Sequence, residues 1–208
     1  MKYLAIDVAI IPQEIILEKL VDINKNLKQK SSSYFELGKK DYLPHITLAM
    51  GVVKSEDVLK IKNIMKEISL KHHQIELIGE EFKSNLQANG EWNSSLSIKK
   101  NKDLVSIHKE LMDLIGGFFQ EHSSPEMFYS VPKVEEGSNA LKWVKEYKQI
   151  AAYENYNPHI SLSKGKISED DLFKMKTPFE FTSSRLVISH LGVHCTCRKI
   201  LFEVYLSK

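Results

Sequence analysis

A heptapeptide occurs twice in this chain, and few arrangements satisfy both copies. Tyr42-Leu43-Pro44-His45-Ile46-Thr47-Leu48 returns as Tyr156-Asn157-Pro158-His159-Ile160-Ser161-Leu162. The match runs on past the heptad. Gly51 follows His45 by six residues, and Gly165 follows His159 by six. Ser55-Glu56-Asp57 is answered by Ser168-Glu169-Asp170, allowing one deletion. A repeat of this extent predicts a duplicated structural unit, with chemistry performed by a symmetric pair.

Apolar periodicity fills in the layout. Residues 2–11 form an apolar, β-branched run that reads as a buried strand. Pro12 suits a first helical turn. Ile16, Leu20, Ile23 and Leu27 then recur at helical spacing, predicting an amphipathic helix over 13–29. Residues 31–41 read as polar loop and 43–50 as the first motif strand. Ser55, Glu56 and Asp57 predict the cap of a helix whose inner face is Val58, Ile61, Met65 and Ile68. Residues 72–83 read as a strand.

The second half repeats the order. It has a strand at 93–99, a helix marked by Leu104, Ile107, Leu111, Leu114 and Phe118, and a motif strand at about 156–163. A short helix capped by Ser168 and Asp171 follows, then strands at 184–194 and 199–206. The expected unit is one bilobal domain over 1–208. Its lobe-level repeat divides near 1–90 and 91–208, with room for strands to be exchanged between lobes. Residues 120–155 have no counterpart in the first half. A loop of that length is uncommon unless functional. It reads as a lid or substrate wall with Trp143 as a stacking residue, or as a peripheral insertion.

Composition bounds the function. The net charge of +2 announces no nucleic-acid coat. Lys25, Lys28, Lys30, Lys39 and Lys40 read as a solvated face and loop. The two cysteines, Cys195 and Cys197, are too few for a disulfide framework, which fits a reducing compartment. No apolar run reaches the roughly 20 residues that span a bilayer. The N-terminal stretch lacks a signal peptide's apolar core and cleavage site. The expectation is a soluble, cytoplasmic monomer with no membrane partner.

Strand parity sorts the motif. Side chains i and i+2 share a face. His45 therefore points with Thr47, and His159 with Ser161. Ile46, Leu48, Ile160 and Leu162 point the other way, into the core, and Tyr42 and Tyr156 share their parity. If the motif strands meet about a pseudo-twofold axis, two imidazoles and two hydroxyls line one cleft. Histidine titrates near 6.5, so one ring can be neutral and one protonated near pH 7. A neutral ring can take a proton from water, and a protonated one can give a proton to a leaving alkoxide, each worth on the order of 10²–10⁴ in rate. Hydroxyls between them can donate to anionic oxygens. The set suits in-line displacement at a phosphodiester.

At these residues the chain resembles the 2H phosphoesterase superfamily, in its 2′-5′ RNA ligase-like or cyclic phosphodiesterase-like branch. Both tetrapeptides, His45-Ile46-Thr47-Leu48 and His159-Ile160-Ser161-Leu162, fit its His-hydrophobic-Thr/Ser-hydrophobic pattern. The resemblance implies an α+β fold with two antiparallel sheets lining a central cleft and helices outside. It implies opening of a 2′,3′-cyclic or related phosphate, or cleavage or formation of a 2′-5′ phosphodiester, on an RNA end or small nucleotide. No metal or other cofactor is implied. His45 and His159 would be the acid/base pair, and Thr47 and Ser161 the phosphate-holding hydroxyls. Lys164 would be the basic residue five positions after the second histidine, where the first copy has Met50. The pseudo-symmetry leaves open which histidine is acid.

Two readings from other classes compete. The same cleft could serve a non-catalytic nucleotide- or RNA-binding module. His190, His194, Cys195 and Cys197 carry enough donors for zinc, although their spacing fits neither a strand site nor a cysteine knuckle. His72, His73, His108 and His122 have no motif around them and read as surface residues. Arg185 and Arg198 are further candidates for contacting phosphate.

Overall fold

The structure, a computed structural model, describes residues 2–27, 35–87, 90–130, 133–168, 172 and 175–207. In chain order its elements are β1 (Tyr3–Ile11), α1 (Glu14–Leu27), β2 (Ile46–Lys54), α2 (Val58–Lys71), β3 (Ile75–Leu86), β4 (Trp92–Ile98), α3 (Lys102–Ile115), α4 (Asn139–Ile150), β5 (His159–Ser163), β6 (Phe179–Ser183), β7 (Arg185–Leu191) and β8 (Cys197–Tyr205). The short helix expected after the Ser168–Asp171 capping box falls largely outside the described residues.

The strands form two four-stranded sheets of order β2-β1-β7-β8 and β5-β4-β3-β6, with every neighbouring pair antiparallel. Each sheet draws strands from both halves of the chain. β7 pairs with β1, while β6, just before it, pairs with β3. Only Ser184 separates β6 from β7, and the Ser183 hydroxyl donates to the Ile11 carbonyl at 2.6 Å, tying the sheets together at the crossing. β6 escaped the sequence reading because its five residues carry too short a pattern. Leu43, upstream of β2, bridges to Cys197 in β8. β2 and β8 are opposite edges, so this sheet curls on itself.

β1 is covered on both faces, and Ala5 through Ile11 are all at most 1% exposed. Such a strand reads as a continuous apolar run rather than an alternation. Its one charged residue, Asp7, is 0% exposed. The helices take the outside. α1 packs beside β5, α2 on β8, and α3 and α4 on β2. None of the described helices is long and apolar enough to cross a membrane.

Three expectations change here. Ser55 does not cap α2. Ser55–Asp57 is a 3-10 turn running straight into the helix, so no side chain bonds back across the start. The inner face of α3 ends on Ile115, while Leu114 is exposed. The 120–155 segment carries α4, which buries Ala140, Leu141, Val144 and Tyr147 and turns Trp143 outward. It is part of the wall behind the first motif strand.

Candidate active site

The motif strands fall as parity requires. Ile46, Leu48, Ile160 and Leu162 are 0% exposed, while His45, Thr47, His159 and Ser161 are half-buried. β2 carries an extra residue against β1. Val8 pairs with Ala49 and Ala9 with Thr47, leaving Leu48 unopposed. Such a bulge frees a backbone group that must find another partner. His108 supplies it, its Nδ1–H donating to the Leu48 carbonyl at 2.6 Å. The other ring nitrogen accepts from the Tyr153 N–H at 2.8 Å. His108 is therefore a buried, neutral strut rather than the expected surface residue, and burial holds its pKa below the ordinary value.

The two motifs are bonded to each other. The Tyr156 hydroxyl donates to the Thr47 carbonyl at 3.1 Å. The Tyr156 ring stacks on His108 with centroids 3.8 Å apart. Tyr42, the matching residue of the first copy, is not in the core. It sits in the left-handed region at φ 53°, with the Arg198 guanidinium 3.9 Å above its ring. Arg198 also forks onto Asp41 at 2.6 and 3.0 Å. Asn24, on α1, is wholly buried and clamps the second strand. Its Nδ2 donates to the Phe35 and Leu162 carbonyls at 2.9 and 2.6 Å, and its Oδ1 accepts from the Leu37 N–H at 2.8 Å. Phe35 and Leu37 are consequently buried inside what read as polar loop.

Both imidazoles are oriented by the same backbone device. His45 Nδ1 meets the Leu43 carbonyl at 2.7 Å, and His159 Nδ1 meets the Asn157 carbonyl at 2.9 Å. A carbonyl only accepts, so each Nδ1 carries hydrogen and each Nε2 is the working atom. The rings are close enough that charge on His45 acts on His159. Burial, reinforced by that charge, holds the His159 pKa below its ordinary value against the pull of the Asn157 carbonyl.

The surroundings of Nε2 differ. His45 Nε2 lies 3.3 Å from Asp7 Oδ2. The same oxygen accepts from the Thr47 hydroxyl at 2.8 Å, and the Cys197 thiol points at it from 3.9 Å. The sequence reading missed Asp7. Its signal was a lone carboxylate inside an apolar strand, a placement rare unless the charge is paired. Burial raises the Asp7 pKa, and its hydrogen bonds from His45, Thr47 and Cys197 work against that. His45 is held well above its ordinary value. Burial opposes the imidazolium, but its hydrogen bonds to Asp7 and Cys197, together with the Asp7 charge, outweigh it.

The other expected residues are distributed as follows. The Thr47 hydroxyl is committed to Asp7, whereas the Ser161 hydroxyl on β5 has no partner among the described residues. Lys164 lies just past β5, and its charge acts on His194 and Cys195 in the turn between β7 and β8. Arg185 pairs with Glu203 at 2.8 Å. His72 pairs with Glu110 at 2.7 Å, while His73 and His122 are exposed.

The four proposed zinc ligands do not converge. His190 Nε2 meets the Met127 carbonyl, His194 faces Phe35, the Cys195 thiol points to the Ala140 carbonyl and Cys197 to Asp7. One mixed group is compact among the described residues. The polar atoms of Asp7, His45 and Cys197 lie within 4.8 Å of one another. A metal there would require Cys197 as thiolate, and burial keeps this thiol protonated. We read the trio as a hydrogen-bonded network. A cavity of about 440 Å³ opens elsewhere, beside Gln13, Lys39, Thr182 and Arg185, and no motif side chain lines it.

No protein-family model matches the sequence, and no curated protein does. Solved structures do match. E. coli LigT complexed with phosphate superposes at a TM-score of 0.55 and 12% identity, over 100% of both chains. E. coli LigT complexed with 3′-AMP gives 0.54 and 13%, again over 100% of both. TT0787 of Thermus thermophilus gives 0.56 and 11% over 98% of both. The chain has the fold of the LigT-like phosphoesterases.

Proposed function

We propose that this chain is a 2H phosphoesterase that works without a metal. It opens a 2′,3′-cyclic or related phosphate, or cleaves or forms a 2′-5′ phosphodiester, on an RNA end or small nucleotide in the cytoplasm. The observation that carries the reading is the pair of imidazoles at matching motif positions, each with Nδ1 tied to a carbonyl two residues upstream, and near enough that charge on His45 acts on His159. One ring takes a proton from the attacking water and the other gives one to the leaving oxygen. Ser161 and Lys164 supply a hydroxyl and a cation near the second histidine for the phosphate oxygens. Thr47 reaches phosphate by exchanging its Asp7 acceptor for a phosphate oxygen. The phosphate and 3′-AMP held by E. coli LigT fit a phosphorylated nucleotide end as ligand. Hydrolysis is the favoured direction because water is abundant.

The test is turnover of 2′,3′-cyclic nucleotides and 2′-5′ oligonucleotides in EDTA. Activity is expected on at least one, with loss of about 100-fold or more in His45→Ala and in His159→Ala. An inert protein on the whole panel, or full activity in the double variant, overturns the reading. Tight nucleotide binding without turnover would favour a binding module in the same cleft.

A further inference from the structure

We infer that Asp7 divides the labour between the two histidines: its buried carboxylate keeps on His45 the proton destined for the leaving oxygen, and His159, which lacks such a partner, takes the proton of the attacking water. The inference rests on the two-histidine reading and goes beyond it, because the repeated motif makes the two rings equivalent.

The geometry is asymmetric at one atom only. Both rings have Nδ1–H on a backbone carbonyl. At Nε2, His45 faces Asp7 Oδ2 at 3.3 Å, while no carboxylate contacts His159 among the described residues. Asp7 is wholly buried, and its second oxygen, Oδ1, has no hydrogen-bond partner among the described residues. A carboxylate in that position is costly unless a cation compensates it. Thr47 and Cys197 offer only neutral donors to Oδ2. The compensating cation within reach is the His45 imidazolium. The two groups titrate as a pair that retains one exchangeable proton. Asp7 acts through His45 and is thus a positioning residue.

The remaining groups around the pair do not compete for this proton. Cys197 on β8, Cys195 in the preceding turn, Tyr147 on α4 and Tyr156 ahead of β5 are all held above their ordinary values by burial, so they stay neutral. Lys164 acts on Cys195 and His194. His159 is pushed towards its neutral form, as a base must be.

The step balances. A water O–H passes its proton to His159 Nε2 as the oxygen bonds to phosphorus. The ester P–O bond breaks, its electron pair stays on the leaving oxygen, and that oxygen takes the proton from His45 Nε2. The proton gained by His159 and the one lost by His45 are exchanged with solvent before the next turnover.

The experiment compares two leaving groups in Asp7→Asn, which keeps the side-chain shape. On a 2′,3′-cyclic nucleotide, whose alkoxide needs protonation, we expect kcat to fall about 100-fold with little change in KM. On a nucleotide nitrophenyl phosphodiester, whose nitrophenolate leaves unprotonated, we expect a loss of only a few-fold. His159→Ala should lose rate on both substrates, and the alkaline limb of the pH profile should move to lower pH in Asp7→Asn. Equal losses on both substrates, an unchanged rate on the cyclic one, or rescue of His159→Ala rather than His45→Ala by nitrophenolate would overturn the assignment. NMR titration of the imidazoles gives a readout independent of turnover. In the unmodified protein His45 should titrate above His159, and in Asp7→Asn it should fall towards it; the reverse order refutes the inference. If the protein turns over no substrate yet shows that order, the catalytic reading fails while the Asp7–His45 pairing stands.

Discussion

Removing the Asn24 amide tests how the second motif strand is held. Three buried backbone groups depend on that one side chain: the Phe35 carbonyl, the Leu162 carbonyl and the Leu37 N–H, at 2.9, 2.6 and 2.8 Å. A buried polar group left without a partner costs about 1–3 kcal/mol. Water entering the vacated space offsets part of the sum, so Asn24→Ala should lose about 3 kcal/mol. For a chain of this size that is a thermal midpoint lower by about 6–12 °C. Asn24→Asp is the sharper variant. It keeps the shape but turns an acceptor with negative charge towards two carbonyl oxygens. At pH 7 it should be less stable than Asn24→Ala. Its folded-state pKa is raised above the unfolded value of about 3.9, so the penalty grows as pH rises through that value and shrinks as pH falls. Urea denaturation followed by circular dichroism at about pH 7 and about pH 4.5 measures both. An Asn24→Ala loss below about 1 kcal/mol, or an Asn24→Asp variant no worse than Asn24→Ala at neutral pH, would refute the reasoning.

Two further perturbations probe the frame around the site. His108 can satisfy the Leu48 carbonyl and the Tyr153 N–H together only as the neutral ring. Its folded-state pKa is lowered, so its contribution is present above about 6.5 and is lost as pH falls below that towards the folded value. His108→Phe should cost about 2 kcal/mol at about pH 7.5, and the gap from the unmodified protein should narrow at about pH 5.5 in urea melts. A gap that widens would contradict the neutral-strut role. Gly51 is constrained by packing, since an added Cβ would overlap the Phe119 ring. Gly51→Ala should destabilise by about 1–3 kcal/mol, and Phe119→Leu should relieve part of that; additive losses in the double variant would show that the two do not meet.

The motif geometry was legible from the residues because a strand has a period of two. Once 43–50 and about 156–163 were read as strands, the faces of Ile46, Thr47, Ile160 and Ser161 followed, and the structure keeps them. Helix faces over α1 and α2 followed from spacing in the same way. Expectations that required a local alternative to be rejected went wrong. The Ser55 cap yielded to a continuous 3-10 turn, and the 120–155 segment hid α4 because its apolar positions are sparse and broken by lysines. His108 looked like a surface residue because nothing near it in sequence names its partners, Leu48 and Tyr153.

The repeat itself determined that two histidines and two hydroxyls would face alike, since parity is a property of the backbone and needs no partner. It also implied that the two copies were equal. Tertiary structure removed that equality. Curling of the first sheet and the pairing of β1 beside β2 carry Asp7 to His45 and Thr47, both far from it along the chain, and leave the second histidine, among the described residues, with a backbone carbonyl as its hydrogen-bond partner. A buried carboxylate acts over a few ångströms of low-dielectric space. Its effect depends on which strands become neighbours, and periodicity along a single strand carries no record of that.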